Sequence, residues 1–211
     1  MNTIKSLVLV LLIAIVSVNY SCKKQEDVSI DKVEEGEVSF SPMSVGNYWV
    51  YEVYSVDKQG NTTYSGMDST YISKTTTVNG NSYFEYRTSS SVAFKQLLRD
   101  SSNYLVDDKG EKFFHPSTKD TLKNDKLVVA GNLLSHTYRL MHIPNKKISC
   151  AAGDFDALES RLTVVYPFFS TENNSSNYYS AGIGLIRIET SPSVNGDYKL
   201  YSLKRWHISL D

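Results

Sequence analysis

Thr70-Tyr71-Ile72-Ser73-Lys74-Thr75-Thr76-Thr77-Val78-Asn79-Gly80-Asn81-Ser82-Tyr83-Phe84-Glu85-Tyr86-Arg87-Thr88 is the stretch from which the fold is read. Its first half is rich in β-branched threonine, and Asn79-Gly80 supplies the left-handed pair that a tight hairpin requires. From Ser82 to Thr88, Phe84 and Tyr86 alternate with Glu85 and Arg87, which places the aromatic rings on one face of a strand. The same grammar repeats outward. Before it, Tyr48–Asp57 is dense in Tyr and Val and ends at the turn Lys58-Gln59-Gly60-Asn61. After it come Phe94–Arg99, Tyr104–Val106 and Glu111–His115, separated by Ser101-Ser102-Asn103 and Asp108-Lys109-Gly110.

Farther along, Pro116–Lys126 reads as a loop and Ser135–Ile143 as a strand stopped by Pro144-Asn145. Ala157–Tyr166, Gly184–Thr190 and Tyr198–Ile208 read as strands, and Thr171–Asn177 as a polar loop. No stretch sustains helical periodicity beyond two turns. Roughly ten strands at this spacing predict an all-β domain over 42–211, a single large curled antiparallel sheet that is half-barrel-like.

The composition narrows the partners. Fifteen Tyr against eight Phe and two Trp suit half-buried pleated surfaces. A net charge of −1 gives no field to attract phosphate backbones, so nucleic acid is not an expected partner.

The N-terminus has its own logic. Lys5 is the one charged side chain before Cys22, and Ser6–Val18 is almost wholly apolar. A positive start, a short apolar run and a small residue before the break make residues 1–21 a secretory signal. The apolar run is shorter than the about 20 residues a permanent span needs. Ser21-Cys22 resembles the lipobox of bacterial lipoproteins, which implies cleavage before Cys22 and acyl chains on its thiol and amino group. Buried methylenes at ~0.8 kcal/mol each make such an anchor stable. Residues 22–41 then form a charged tether reaching ~60 Å if extended. Within it Lys24-Gln25-Glu26-Asp27 is similar to the short signal that sends some Gram-negative lipoproteins to the cell surface. The expected address is the outer membrane, lipid-anchored; the same four residues equally suit a solvated linker, so exposure at the cell surface and a plain tether both stay open. With Cys22 acylated, Cys150 has no disulfide partner in the chain and is read as a small apolar residue.

Three further pieces resemble one family. Pro42-Met43-Ser44-Val45-Gly46-Asn47-Tyr48-Trp49-Val50-Tyr51 is similar to the opening of TapB-like envelope proteins. Ala152-Gly153-Asp154-Phe155-Asp156-Ala157 is similar to their central stretch, and Tyr178-Tyr179-Ser180-Ala181-Gly182-Ile183-Gly184-Leu185-Ile186-Arg187 to their late segment. The resemblance implies an open, strongly curved antiparallel sheet and carries no catalytic residues.

No nucleophile elbow, paired-histidine metal motif, phosphate loop, C-x-x-C or calcium loop is present. His136 and His142, six apart on one strand, lie ~20 Å apart and cannot share a metal. Asp154, Asp156 and Glu159 read as a turn and a solvated strand start. No metal or cofactor is expected, and the chain is not read as an enzyme. The remaining chemistry is aromatic: Trp49, Phe168, Phe169, Tyr178 and Tyr179 are the candidate ligand-binding residues, because large rings fill a core or stack on ligands. The expected function is a non-catalytic envelope module, partnered with the lipid bilayer through Cys22 and with an apolar ligand, a glycan or an envelope protein. Two alternatives stay open: an accessory component of surface machinery, and a hydrolase using His136 or His142 with a carboxylate.

Overall fold

A computed structural model describes residues 39–117, 121–193 and 195–209, without the side chains of 142–145. The signal, Cys22 and most of the tether lie outside the described residues.

The first strand, β1 (Tyr48–Val56), starts where Gly46 turns the chain at a φ of +96°, open to glycine and strained for other residues. Asn47 completes this corner. Its side chain is fully buried, its amide donates to the Pro42 carbonyl (3.2 Å), and its oxygen accepts from the Ser209 amide (2.8 Å). One residue thus pins the segment before β1 and the end of the last strand. Asn47→Ala should lower stability by about 1–2 kcal/mol through these two unpaired groups. Urea unfolding with an unchanged midpoint would refute that role.

Eleven more strands follow: β2 (Thr62–Val78), β3 (Asn81–Thr88), β4 (Gln96–Ser101), β5 (Tyr104–Asp107), β6 (Lys112–Phe114), β7 (Thr121–Val129), β8 (Asn132–Cys150), β9 (Gly153–Tyr166), β10 (Thr171–Ser180), β11 (Gly184–Glu189) and β12 (Tyr198–His207). They make one antiparallel sheet in the order β6-β5-β4-β3-β2-β1-β12-β11-β10-β9-β8-β7. This is the curled all-β sheet expected from the sequence. Bulges in β2, β8, β11 and β12 tighten the curl until β6 and β7, the two ends of the order, approach each other. No ladder joins β6 to β7. Side chains bridge this seam: Lys123 donates to Glu111 (3.0 Å), Arg139 pairs with Glu111 (3.6 Å), and the Ser160 hydroxyl donates to the Phe113 carbonyl.

Two segments read as loops are strands. Thr171–Asn177 pairs along its length with β9, because its polar side chains find partners there: Thr163 donates to Asn174 (2.7 Å) and Ser176 to Glu159 (2.7 Å). Pairing context outweighs intrinsic propensity in such a run. Thr121–Lys126 likewise belongs to β7, paired with β8. Strand β8 also runs through Pro144, which sits where the register with β9 skips between His142 and Lys146, so no ladder bond needs its missing N–H.

The packed core is continuous through the curl. Trp49, Tyr51, Ile72, Tyr178, Ile186 and Leu203 are buried in one cluster, and Leu98, Leu105, Phe114, Met141, Leu158 and Tyr179 in a second. Met43 packs against both, and the Phe40 ring lies 5.6 Å from Phe114.

Candidate functional site

The inner face of the curl is set by register. Trp49 pairs with Thr70 and Tyr51 with Asp68, while Tyr86 pairs across β3–β4 with Gln96. Opposed residues of an antiparallel ladder project from the same face. Trp49, Tyr51, Thr70, Tyr86 and Gln96 therefore converge with Tyr179 of β10 around a cavity of about 270 Å³. Its apolar wall includes Phe94, Leu98, Leu105, Phe113, Leu185 and Ile188, and Ser41 and Pro42 lie across one side.

The aromatic rings are held in place. Trp49 Nε1 donates to the Ile183 carbonyl (2.6 Å), and its ring stacks on Tyr86 at 6.1 Å and 16°. At Gly184 (φ +93°) an added Cβ would meet Pro42 at 3.4 Å and Trp49 at 3.5 Å, so glycine is what lets the β10–β11 corner lie against the indole. The Tyr51 hydroxyl donates to the Leu185 carbonyl (2.8 Å). Burial pushes the Tyr51, Tyr86 and Tyr179 phenols well up, and the neighbouring phenols raise Tyr51 and Tyr86 further. All three stay neutral hydrogen-bond donors across the physiological range.

The candidate binding residues do not form one group. Trp49 and Tyr179 line the cavity. Tyr178 pairs with Glu159 and projects to the other face, where Lys146 Nζ lies 5.4 Å from its ring centre. Phe168 and Phe169 sit on a 3₁₀ turn (Pro167–Phe169) at the far end of β10, 85% and 70% exposed. The sequence reading missed Tyr51, Tyr86, Gln96, Leu98 and Leu105 as cavity wall. The Phe84/Tyr86 alternation marks a buried face, but only the closure of the sheet shows that this face surrounds space.

The acidic and histidine candidates resolve individually. Glu159 is fully buried between Lys146, Arg161 (2.8 Å) and Ser176, outside the cavity wall. Asp156 pairs with Lys147 at the surface (2.9 Å). His136 contacts the Asn124 amide oxygen (2.6 Å), and His207 stacks on Tyr48 at 5.6 Å. His115 packs on Tyr104 at 4.3 Å, and the side chain of His142 lies outside the described residues. Cys150 is a free, half-buried thiol that burial pushes up, the opposite of an activated nucleophile. Among the described residues no cluster of His, Cys, Asp and Glu could hold a metal ion.

No family model matches the chain, and no curated protein matches it. Two solved structures are similar to it. One is a "putative lipoprotein" from Parabacteroides distasonis ATCC 8503, with 15% identity over 81% of this chain and 99% of that one, at a TM-score of 0.46. The other is a "putative exported protein with YmcC-like fold" from Bacteroides fragilis NCTC 9343, with 10% identity over 81% and 99%, at a TM-score of 0.44. Both scores are too low to establish a shared fold, so the likeness assigns neither family nor function.

Proposed function

We propose that this chain is a lipid-anchored protein of the cell envelope, held through Cys22, whose curled sheet binds a small, mainly apolar molecule without transforming it. One observation carries the binding reading: an apolar cavity of about 270 Å³ walled by Trp49, Tyr51, Tyr86, Leu98, Leu105 and Tyr179. The engineered cavity that takes up benzene is about half that size, so this volume suits roughly a dozen non-hydrogen atoms. Small closed sheets use their interiors in this way. Anchoring rests on the apolar run and Ser21-Cys22, and the outer-membrane address on Lys24–Asp27.

Trp49 reports on the site directly. n-Butylbenzene titrated into the protein should change Trp49 emission with one site per chain. Leu105→Phe, which fills the space, should abolish the change while leaving the circular dichroism intact. An unchanged emission in the unsubstituted protein would refute the cavity as a binding site. For the anchor, Cys22→Ser should release the protein from membranes on washing, and a variant retained as tightly as the parent would refute it.

One observation favours the accessory-component reading. The β7–β8 turn and the β9–β10 turn expose Leu127, Val128, Val129, Leu134, Phe168 and Phe169. Co-purification of a stoichiometric envelope protein, lost in Phe168→Ser/Phe169→Ser, would establish that role; those substitutions should leave n-butylbenzene binding unchanged.

A further inference from the structure

We infer that the ligand is electrically neutral and carries an oxygen acceptor, as a medium-chain ketone, alcohol or ester does, and that the site discriminates against the corresponding carboxylate. This rests on the cavity being the binding site.

The first ground is charge. None of the residues lining the cavity is ionisable in the physiological range. The cation that bears on the site is Arg139: its guanidinium carbon lies 5.0 Å from the centre of the Phe113 ring, its charge is felt by the Tyr179 phenol, and it is paired with Glu111. A carboxylate, Asp68, shares the register position of Tyr51 and acts on its phenol. Burial would raise the Asp68 carboxyl, but the Ser90, Thr88 and Ser89 hydroxyls and the Ser69 amide outweigh that and hold it below its ordinary value. Asp68 is therefore charged at neutral pH. An anionic headgroup entering here would lose its water, find no charged group on the lining and a guanidinium already paired with Glu111, and lie near a negative charge.

The second ground is hydrogen bonding. The wall is not wholly apolar: Thr70, Tyr86, Gln96, Asn177 and Tyr179 contribute hydroxyls and amides. Asn177 lies beside the Tyr179 hydroxyl. The Tyr86 hydroxyl and the Gln96 amide have no hydrogen-bond partner among the described residues, in contrast to Tyr51 and Trp49, whose donors are taken by the Leu185 and Ile183 carbonyls. Phenols and amide N–H groups are donors, so a ligand oxygen completes them where a pure hydrocarbon does not.

The test compares methyl nonyl ketone with decanoate, which has the same number of non-hydrogen atoms, by Trp49 emission and calorimetry on the mature protein. At pH 7 the ketone should bind at least ~10-fold more tightly. The gap should narrow as pH falls through the ordinary carboxylic acid range, where decanoate becomes neutral. Tyr179→Phe and Tyr86→Phe should each weaken the ketone about 5-fold, by more than they change n-butylbenzene binding. Decanoate binding as tightly as the ketone at pH 7 overturns the neutral class, as does n-butylbenzene binding without the ketone; in both cases the cavity itself stands as a site. If none of the three binds, the cavity reading falls and this inference with it.

Discussion

Trp49→Ala should cost about 3–5 kcal/mol of folding stability, lower the melting temperature by roughly 10 °C, and abolish n-butylbenzene binding. The indole is 4% exposed, and its removal leaves a void lined by Tyr86, Pro42 and Gly184. The Ile183 carbonyl loses its donor as well, which unties the β10–β11 corner from β1. Trp49→Phe separates the two effects. It restores most of the buried area and should recover most of the stability, while leaving the Ile183 carbonyl unpaired. If Trp49→Ala melts within a few degrees of the parent, the indole is not the keystone of this corner. Guanidinium unfolding at neutral pH measures the effect on each variant.

The second large effect is electrostatic. Glu159 is fully buried, and burial would raise its carboxyl; the Lys146, Ser176 and Arg161 hydrogen bonds reverse this and bring it to about 2. A carboxyl depressed in the folded state contributes stability that is present above its unfolded value, near 4.5. That contribution is lost as pH falls from there towards about 2. Glu159→Gln should therefore cost about 2–3 kcal/mol at pH 7, with the figure moderated because Lys146 and Arg161 are partly solvated and can rehydrate. The difference between variant and parent should shrink through the acid range. A constant difference from pH 7 down to pH 3 would show that Glu159 acts by shape and not by charge.

These two residues also show where sequence reasoning succeeds and where it stops. Trp49 is legible as a candidate because a large ring fills a core or stacks on a ligand. Glu159 was read as part of a solvated strand start. It is buried because β8 and β10 flank it and bring Lys146, from thirteen residues away, and Ser176, from seventeen. A buried carboxylate is tolerable when its partners arrive from neighbouring strands, and no local pattern announces such partners.

The candidate aromatics divide for a related reason. Tyr178 and Tyr179 are neighbours in sequence, yet one faces Glu159 and Lys146 while the other lines the cavity, as strand periodicity demands. Phe168 and Phe169 follow Pro167 in a turn and reach no buried surface.

What the sequence determined by itself is the class of structure and its local joints. Alternation of period two and the Asn79-Gly80 hairpin depend on backbone sterics and near neighbours, so they can be read one segment at a time. Tertiary structure alone decided that the strand ends β6 and β7 meet, that polar Thr171–Asn177 is a strand, and that the inner face surrounds an uncharged cavity. Each of these depends on groups distant in the chain coming together, and a linear pattern records the faces of strands but not the space between them.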